Sequence, residues 1–274
     1  MKHMKKYILT VLIVAAGAVS VSADETNKLA LENYQAMSIA SAVAMAGDAA
    51  APSPMAPIGQ PSWKGTVTFG VTLTSGNSDT LLANTTFATH RNNLTNEWLF
   101  GADAAYGQNN SVEDAETLHG FSQYNHLFTD RWFGYARADG LHDGIANVTY
   151  RATLSPGAGY YAIKTKATTL AGEAGPGMVL EKLDGERKTY STPRLAERFE
   201  HRVDDHTRVW QNVEFLPQVD DLNNFLVNAE VGIEAAITKR LSLRTVVDDN
   251  FANVPAPGRR DNDVKLISGL AYKF

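Results

Sequence analysis

From Trp63 onward the chain beats in twos. In WKGTVTFGVTLT the residues Val67, Phe69, Val71 and Leu73 fall on one side and Thr66, Thr68, Gly70 and Thr72 on the other. Such a period marks a strand with unlike faces. The beat returns in EWLFGADAAY, where Trp98, Phe100, Ala102, Ala104 and Tyr106 oppose Asp103. In NFLVNAEVGIEAAI, Phe225, Val227, Ala229, Val231, Ile233 and Ile237 oppose Asn228, Glu230 and Glu234. In RLSLRTVVDD, Leu241, Leu243, Thr245 and Val247 oppose Arg244 and Asp248, and Leu270, Tyr272 and Phe274 carry an apolar face to the last residue.

A soluble β-sandwich also alternates, so three further features decide. The predicted strands run to about ten to fourteen residues, longer than the five or six usual in globular folds and long enough for a tilted membrane crossing. The breaks alternate in character. NNLT, FTDR, KTKA, DDHT and TKR read as tight turns, whereas QNNSVEDAE, HDGIANV, DGERKTYSTP, QVDDLNN and ANVPAPGRRDND read as longer polar loops. Short turns on one side and long loops on the other describe an outer-membrane barrel. Trp63, Trp98, Tyr106, Trp132, Tyr150, Tyr272 and Phe274 stand near strand ends, where interfacial aromatic girdles lie. The expectation is an all-β protein, a transmembrane antiparallel β-barrel of about 12 strands over residues 63–274.

The first 62 residues read differently. MKHMKK, then YILTVLIVAAGAVSV, then Val21-Ser22-Ala23 are the basic, apolar and small-residue parts of a signal peptide, predicted over 1–23. Residues 24–62, Ala-rich and then Pro-rich (AAAPSPMAPIGQPS), are expected to form a short N-terminal periplasmic extension and linker. After the leader no stretch approaches the roughly 20 apolar residues of a spanning helix, so further membrane contact must use strands.

Composition narrows the chemistry. The 274 residues carry a formal net charge of −5, which gives no support to nucleic-acid binding, and contain no cysteine, which removes disulfides and thiolate metal sites. With the apolar face towards lipid, the opposite face lines the interior. It would hold the charges Asp103, Arg137, Asp139, Glu173, Arg194, Arg198, Arg208, Glu214, Glu230, Glu234, Arg244 and Asp248, with Gln123 and Asn125 among them. About twelve strands enclose a narrow space, so these side chains are expected to pair. In PRLAERFEHR, Glu197 and His201 fall on the lipid side with Leu195, Phe199 and Val203; a bulge, or a strand shifted to the rim, is expected to relieve this.

The chain from about Trp63 resembles the YdiY-like family of salt-induced outer-membrane proteins with a domain of unknown function. The resemblance rests on TSGNS, Asp139-Gly140-Leu141, LSPGAGYY, GEAGPGMVLEK and DDNFANVPAPGRRDNDVKLISGLAYKF, in that order. It implies a barrel in the outer membrane of a Gram-negative cell and brings no catalytic residues. Gly269, Tyr272 and Phe274 resemble in spacing the C-terminal signal read by the barrel-assembly machinery, with Ile267 departing from the usual polar residue.

These observations favour a narrow channel or salt-responsive envelope barrel. A structural or adhesive barrel acting through its loops is the alternative, and an outer-membrane hydrolase ranks below both. No G-x-S-x-G or H-E-x-x-H occurs. His142-Asp143, Asp220-Asp221 and Asp248-Asp249 are the remaining catalytic candidates, while His90, His126, His201 and His206 have no metal-ligand spacing. No catalytic, cofactor or metal site is expected. The expected partners are outer-membrane lipid, lipopolysaccharide and the assembly machinery, with the barrel a monomer.

Overall fold

The computed structural model describes residues 63–74 and 80–274. The predicted signal peptide, the extension at 24–62 and most of the TSGNS motif lie outside the described residues. Twelve strands follow in order: β1 Lys64–Thr74, β2 Thr80–Asn92, β3 Asn96–Asn109, β4 Val112–Leu127, β5 Trp132–Asp143, β6 Val148–Lys164, β7 Thr168–Leu183, β8 Glu186–Arg202, β9 Thr207–Pro217, β10 Phe225–Ala236, β11 Leu241–Ala252 and β12 Asn262–Lys273. Each pairs antiparallel with the next, and β12 returns to β1, so the sheet is closed. Closure satisfies the backbone without water, the condition for strands in hydrocarbon.

The period-two pattern is realised as two unlike faces. Phe69, Val71, Trp98, Leu154, Leu195, Ile233, Leu243, Leu266 and Leu270 are exposed on the outside. Glu97, Gln123, Asn125, Glu173, Arg194, Arg198 and Arg244 are buried on the inside. An apolar exterior around a charged interior inverts a soluble protein and suits acyl chains as the surrounding medium. The protein is a transmembrane β-barrel of twelve strands.

The closing seam is short. Four residue pairs, Thr66↔Lys273 to Phe69↔Leu270, join β1 to β12. Below them Gly65 and Phe274 exchange backbone hydrogen bonds of 3.1 and 3.0 Å, and the Phe274 ring stacks on Phe87 at 6.3 Å.

All five predicted tight turns are present, and QVDDLNN and ANVPAPGRRDND are loops between strands. Two predicted loops are not loops. QNNSVEDAE is the tip of a hairpin in which Asn110 and Ser111 alone connect β3 to β4, with φ of 48° and 64°. DGERKTYSTP is the beginning of β8, joined to β7 through Asp184 and Gly185 at φ of 49° and 85°. Positive φ at both central residues is the hairpin turn that matches strand twist. β4, β6, β7 and β8 therefore reach 16 or 17 residues, beyond the span of the bilayer.

Glu197 also departs from expectation. The ladders of β8 with β7 and with β9 run past it without a register shift, so no bulge turns it inward. It stays on the outer face, where its carboxylate accepts a hydrogen bond of 2.9 Å from Gln211 Nε2 on β9. A shared hydrogen bond lowers the cost of a polar group facing lipid.

Candidate functional site

Inward-pointing side chains from opposite walls meet in one connected network. It begins low in the barrel, where Tyr161 and Asn125 donate to Glu97 at 2.8 and 2.9 Å. Gln123 donates to Asn125 and to Glu173 at 2.9 and 3.0 Å. Glu173 holds Arg194 at 2.7 Å and Arg198 at 2.5 Å, and Arg194 also donates to Glu214. Asn228 donates to the second oxygen of Glu214 at 3.0 Å. Arg137 reaches Gln123 at 3.2 Å and clasps Asp139 at 2.5 Å, while His119 lies 2.8 Å from Asp103 and 4.0 Å from Asp139. The side chains of Glu173 and Arg194 are 0% and 3% exposed. Burial penalises isolated charge severely, so paired and hydrogen-bonded groups are the arrangement such a site can sustain.

A second group closes the side towards β12. Arg208 bridges Glu200 at 3.1 Å and Glu234 at 2.9 Å, and Glu234 also takes Ser242 Oγ at 3.0 Å and the Lys273 ammonium. The Trp210 ring lies between the guanidiniums of Arg208 and Arg244, whose centres are 4.9 and 4.5 Å from it, a favourable cation–π geometry. Trp210 Nε1 donates to Glu230. The ring fits because its neighbour on β10 is Gly232; a Cβ there would lie 2.0 Å from the indole.

Between these groups remains a cavity of about 170 Å³. That is comparable to the engineered cavity of roughly 150 Å³ that admits benzene, room for a solute of a few heavy atoms. Its lining carries charges of both signs. Arg137, Arg151, Arg194 and Arg198 come from β5, β6 and β8, with Asp139 beside them on β5; Glu214, Glu230, Asp248 and Asp103 come from β9, β10, β11 and β3, with Lys265 on β12.

A buried apolar cluster stands towards each end of the lumen. At the short-turn end Phe133, Tyr135, Tyr161 and Ala171 form a buried cluster. At the other end the β11–β12 loop crosses the mouth from the side opposite β6 and β7. Its Ala256 packs with Val148 and Leu183, and Arg259 donates to Asn147 Oδ1 at 2.8 Å. Asp184, at the tip of the β7–β8 hairpin, donates its backbone N–H to Asn147 O at 3.0 Å.

Every charge predicted for the lumen stands on the inner face of its strand. Pattern reading passed over Glu97, His119, Arg151, Glu181, Glu200 and Lys273, which share that face. Glu97 was legible, since it continues the set Leu99, Gly101, Asp103 by one step of two. The catalytic candidates are not brought together. His142 Nδ1 lies 2.9 Å from Thr149 O and its other nitrogen 3.8 Å from Glu116. Asp220 and Asp221 bond within their own loop, to Gln218 and Asn223. Asp248 faces in and accepts from Asn250 at 2.9 Å, while Asp249, next along the strand, faces out. Among the described residues no group of three His, Asp or Glu side chains is placed to hold a metal ion.

The geometry accords with the comparisons by sequence profile. A family described as "Protein of unknown function, DUF481" matches residues 67–274. The chain belongs to that family. LSPGAGYY, GEAGPGMVLEK and the C-terminal run lie within the matched residues. No curated protein matches the chain by sequence. Among solved structures it is similar to the NanC porin, at 10% identity over 77% of this chain and 96% of that one, TM-score 0.44. It is also similar to the translocator domain of the autotransporter NalP from Neisseria meningitidis, at 10% identity, 77% and 87% coverage and TM-score 0.39. A FadL homologue from Pseudomonas aeruginosa is similar at 12% identity, 79% and 73% coverage and TM-score 0.33.

Proposed function

We propose that the protein resides in the outer membrane of a Gram-negative cell and passes small zwitterionic solutes through its lumen, and that the conformation described is the closed one. The observation that carries this is the cavity, lined by four arginines and by acids that include Asp103 and Asp248. Were the interior only a structural filler, apolar side chains of similar volume would serve as well or better, because buried ion pairs contribute little net stability. Charges of both signs around a space of a few heavy atoms suit a solute that carries both signs, its ammonium towards Asp103 and Asp248 and its carboxylate towards Arg194 and Arg198.

Proteoliposomes test this. Swelling in an isosmotic small amino acid is expected to exceed swelling in a neutral sugar alcohol of equal mass and in a simple organic anion. Equal rates for all three, or none above empty liposomes, would contradict it; the latter result would instead favour a structural barrel. Gly269, Tyr272 and Phe274 are proposed as the contact for the assembly machinery. Tyr272 and Phe274 are exposed on the outer face of the closing strand, while Gly269 faces inward opposite Arg244.

A further inference from the structure

Four prolines stand in one row across four adjacent strands. Pro176 pairs with Pro193 directly. The β6–β7 register, Leu154↔Met178 and Ala158↔Ala174, places Pro156 opposite Pro176 and is interrupted at that level. The β8–β9 register, Leu195↔Phe215 with Val219 N–H donating to Ser191 O at 3.0 Å, places Pro193 opposite Pro217.

Alternation fixes where their missing donors would have pointed. In an antiparallel strand successive residues direct N–H and C=O to opposite neighbours. Tyr161 N–H donates to Arg131 O on the β5 side, so Pro156 faces β7. Ser191 O accepts from the β9 side, so Pro193 faces β9. Pro156·Pro176 and Pro193·Pro217 are therefore positions of hydrogen-bonded pairs, and neither member of either pair has an N–H to give. The ladder is cut on both flanks of the β7–β8 hairpin at one height. Thr192 Oγ1 donates to Pro193 O at 3.1 Å, a side-chain substitute for one lost donor.

The height is telling. Thr168–Pro176, Pro193–Arg202 and Thr207–Pro217 each span the nine to eleven residues of a tilted crossing, counted from the short-turn rim. The row thus lies where hydrocarbon gives way to water, the one level at which unpaired carbonyls are affordable. Beyond it Leu183 of the hairpin packs on Ala256 of the β11–β12 loop, and Asp184 bonds Asn147, whose side chain in turn takes Arg259 of that loop.

We propose that the proline row is a hinge, and that the distal β7–β8 hairpin, residues 177–192, swings on it to release the loop and open the mouth. This rests on the lumen being a solute path, but the hinge can be read without transport. Hydrogen exchange in nanodiscs is expected to find the amides of Leu154, Met178 and Val219, just beyond the row, exchanging together. Replacing Pro156, Pro176 and Pro193, exposed on the outside, and Pro217, buried at the end of β9, by Ala restores the donors and should slow those amides by about tenfold or more. Unchanged exchange would overturn the hinge.

If the fourfold variant does not assemble, Thr153→Cys with Val179→Cys replaces it. These residues face each other across β6 and β7 beyond the row, at a position between the hydrogen-bonded pairs, and the chain has no other cysteine. Oxidation should suppress the exchange and reduction restore it; exchange indifferent to the bond would again overturn the proposal. Swelling measured on the same two forms then separates the claims. Slowed exchange with no transport in either form leaves the hinge and removes the solute path.

Discussion

The two walls of the cavity are built differently. On β5 to β8 each arginine is tied to a carboxylate of its own or the adjoining strands: Arg137 to Asp139, Arg151 to Glu181, and Arg194 and Arg198 to Glu173. On the other wall the carboxylates also take amide, indole and imidazole donors: Glu214 from Asn228 as well as from Arg194, Glu230 from Trp210 and Asn212, Asp248 from Asn250, and Asp103 beside His119. A guanidinium fork bonded at two points is held in one geometry, whereas an amide or indole donor binds a carboxylate without cancelling its charge. The first wall is scaffold as well as lining. The second is mainly lining.

If that contrast is right, the largest effect of any single change should come from the scaffold. Arg194→Ala leaves Glu173 and Glu214 buried with a cation removed, and a loss of about 3–5 kcal/mol is expected, as for breaking a buried pair. Urea unfolding of the barrel in lipid vesicles measures it, and a change within error would erase the distinction between the walls. Gly232→Ala comes next. Its methyl would press on Trp210 at 2.0 Å, so overpacking should cost about 1–3 kcal/mol and alter the tryptophan fluorescence.

Asp103→Asn with Asp248→Asn, at acids whose partners are His119 and Asn250, should move stability less than either, yet remove the preference for zwitterions over neutral solutes in the swelling assay. A variant that keeps the preference would show that these carboxylates do not face the solute. Smallest of all is Asp204, exposed in the β8–β9 turn and outside both walls. Backbone N–H groups of His206 and Thr207 donate to its carboxylate at 2.7 and 2.8 Å and hold its pKa below the usual range. A depressed folded-state pKa stabilises above the unfolded value and ceases to as pH falls through the folded one. The small advantage of wild type over Asp204→Ala is therefore expected near neutrality and should vanish in strong acid.

Much of this architecture was legible before any coordinates, and the reasons are physical. Lipid on one side and polar lumen on the other force a strict alternation, so Phe225–Ile233 and Leu241–Val247 declare both strand and face. Where that pressure ends, so does the pattern. Glu186, Arg187, Lys188 and Thr189 are all exposed, because the hairpin there stands beyond the bilayer with water on both sides. Their segment reads as loop although it is strand, and the Asp184-Gly185 pair, a strong hairpin signal, was the clue to the contrary.

Pairing was less visible still. Nothing local says that Tyr161 will meet Glu97, 64 positions earlier, since that contact exists only once the barrel has closed. The prolines within β6 to β9 were a signal of another kind. Proline inside a strand asks which hydrogen bonds are missing, and the answer needs the register of three neighbouring pairs.

Current through single barrels in a planar bilayer puts the central claim to the most direct test. Across a salt gradient, wild-type protein is expected to give small, intermittent steps with a reversal potential near zero, because both charge signs line the path, and millimolar amino acid should interrupt them. A bilayer that stays silent with folded protein inserted, or steps indifferent to amino acid, would contradict the account.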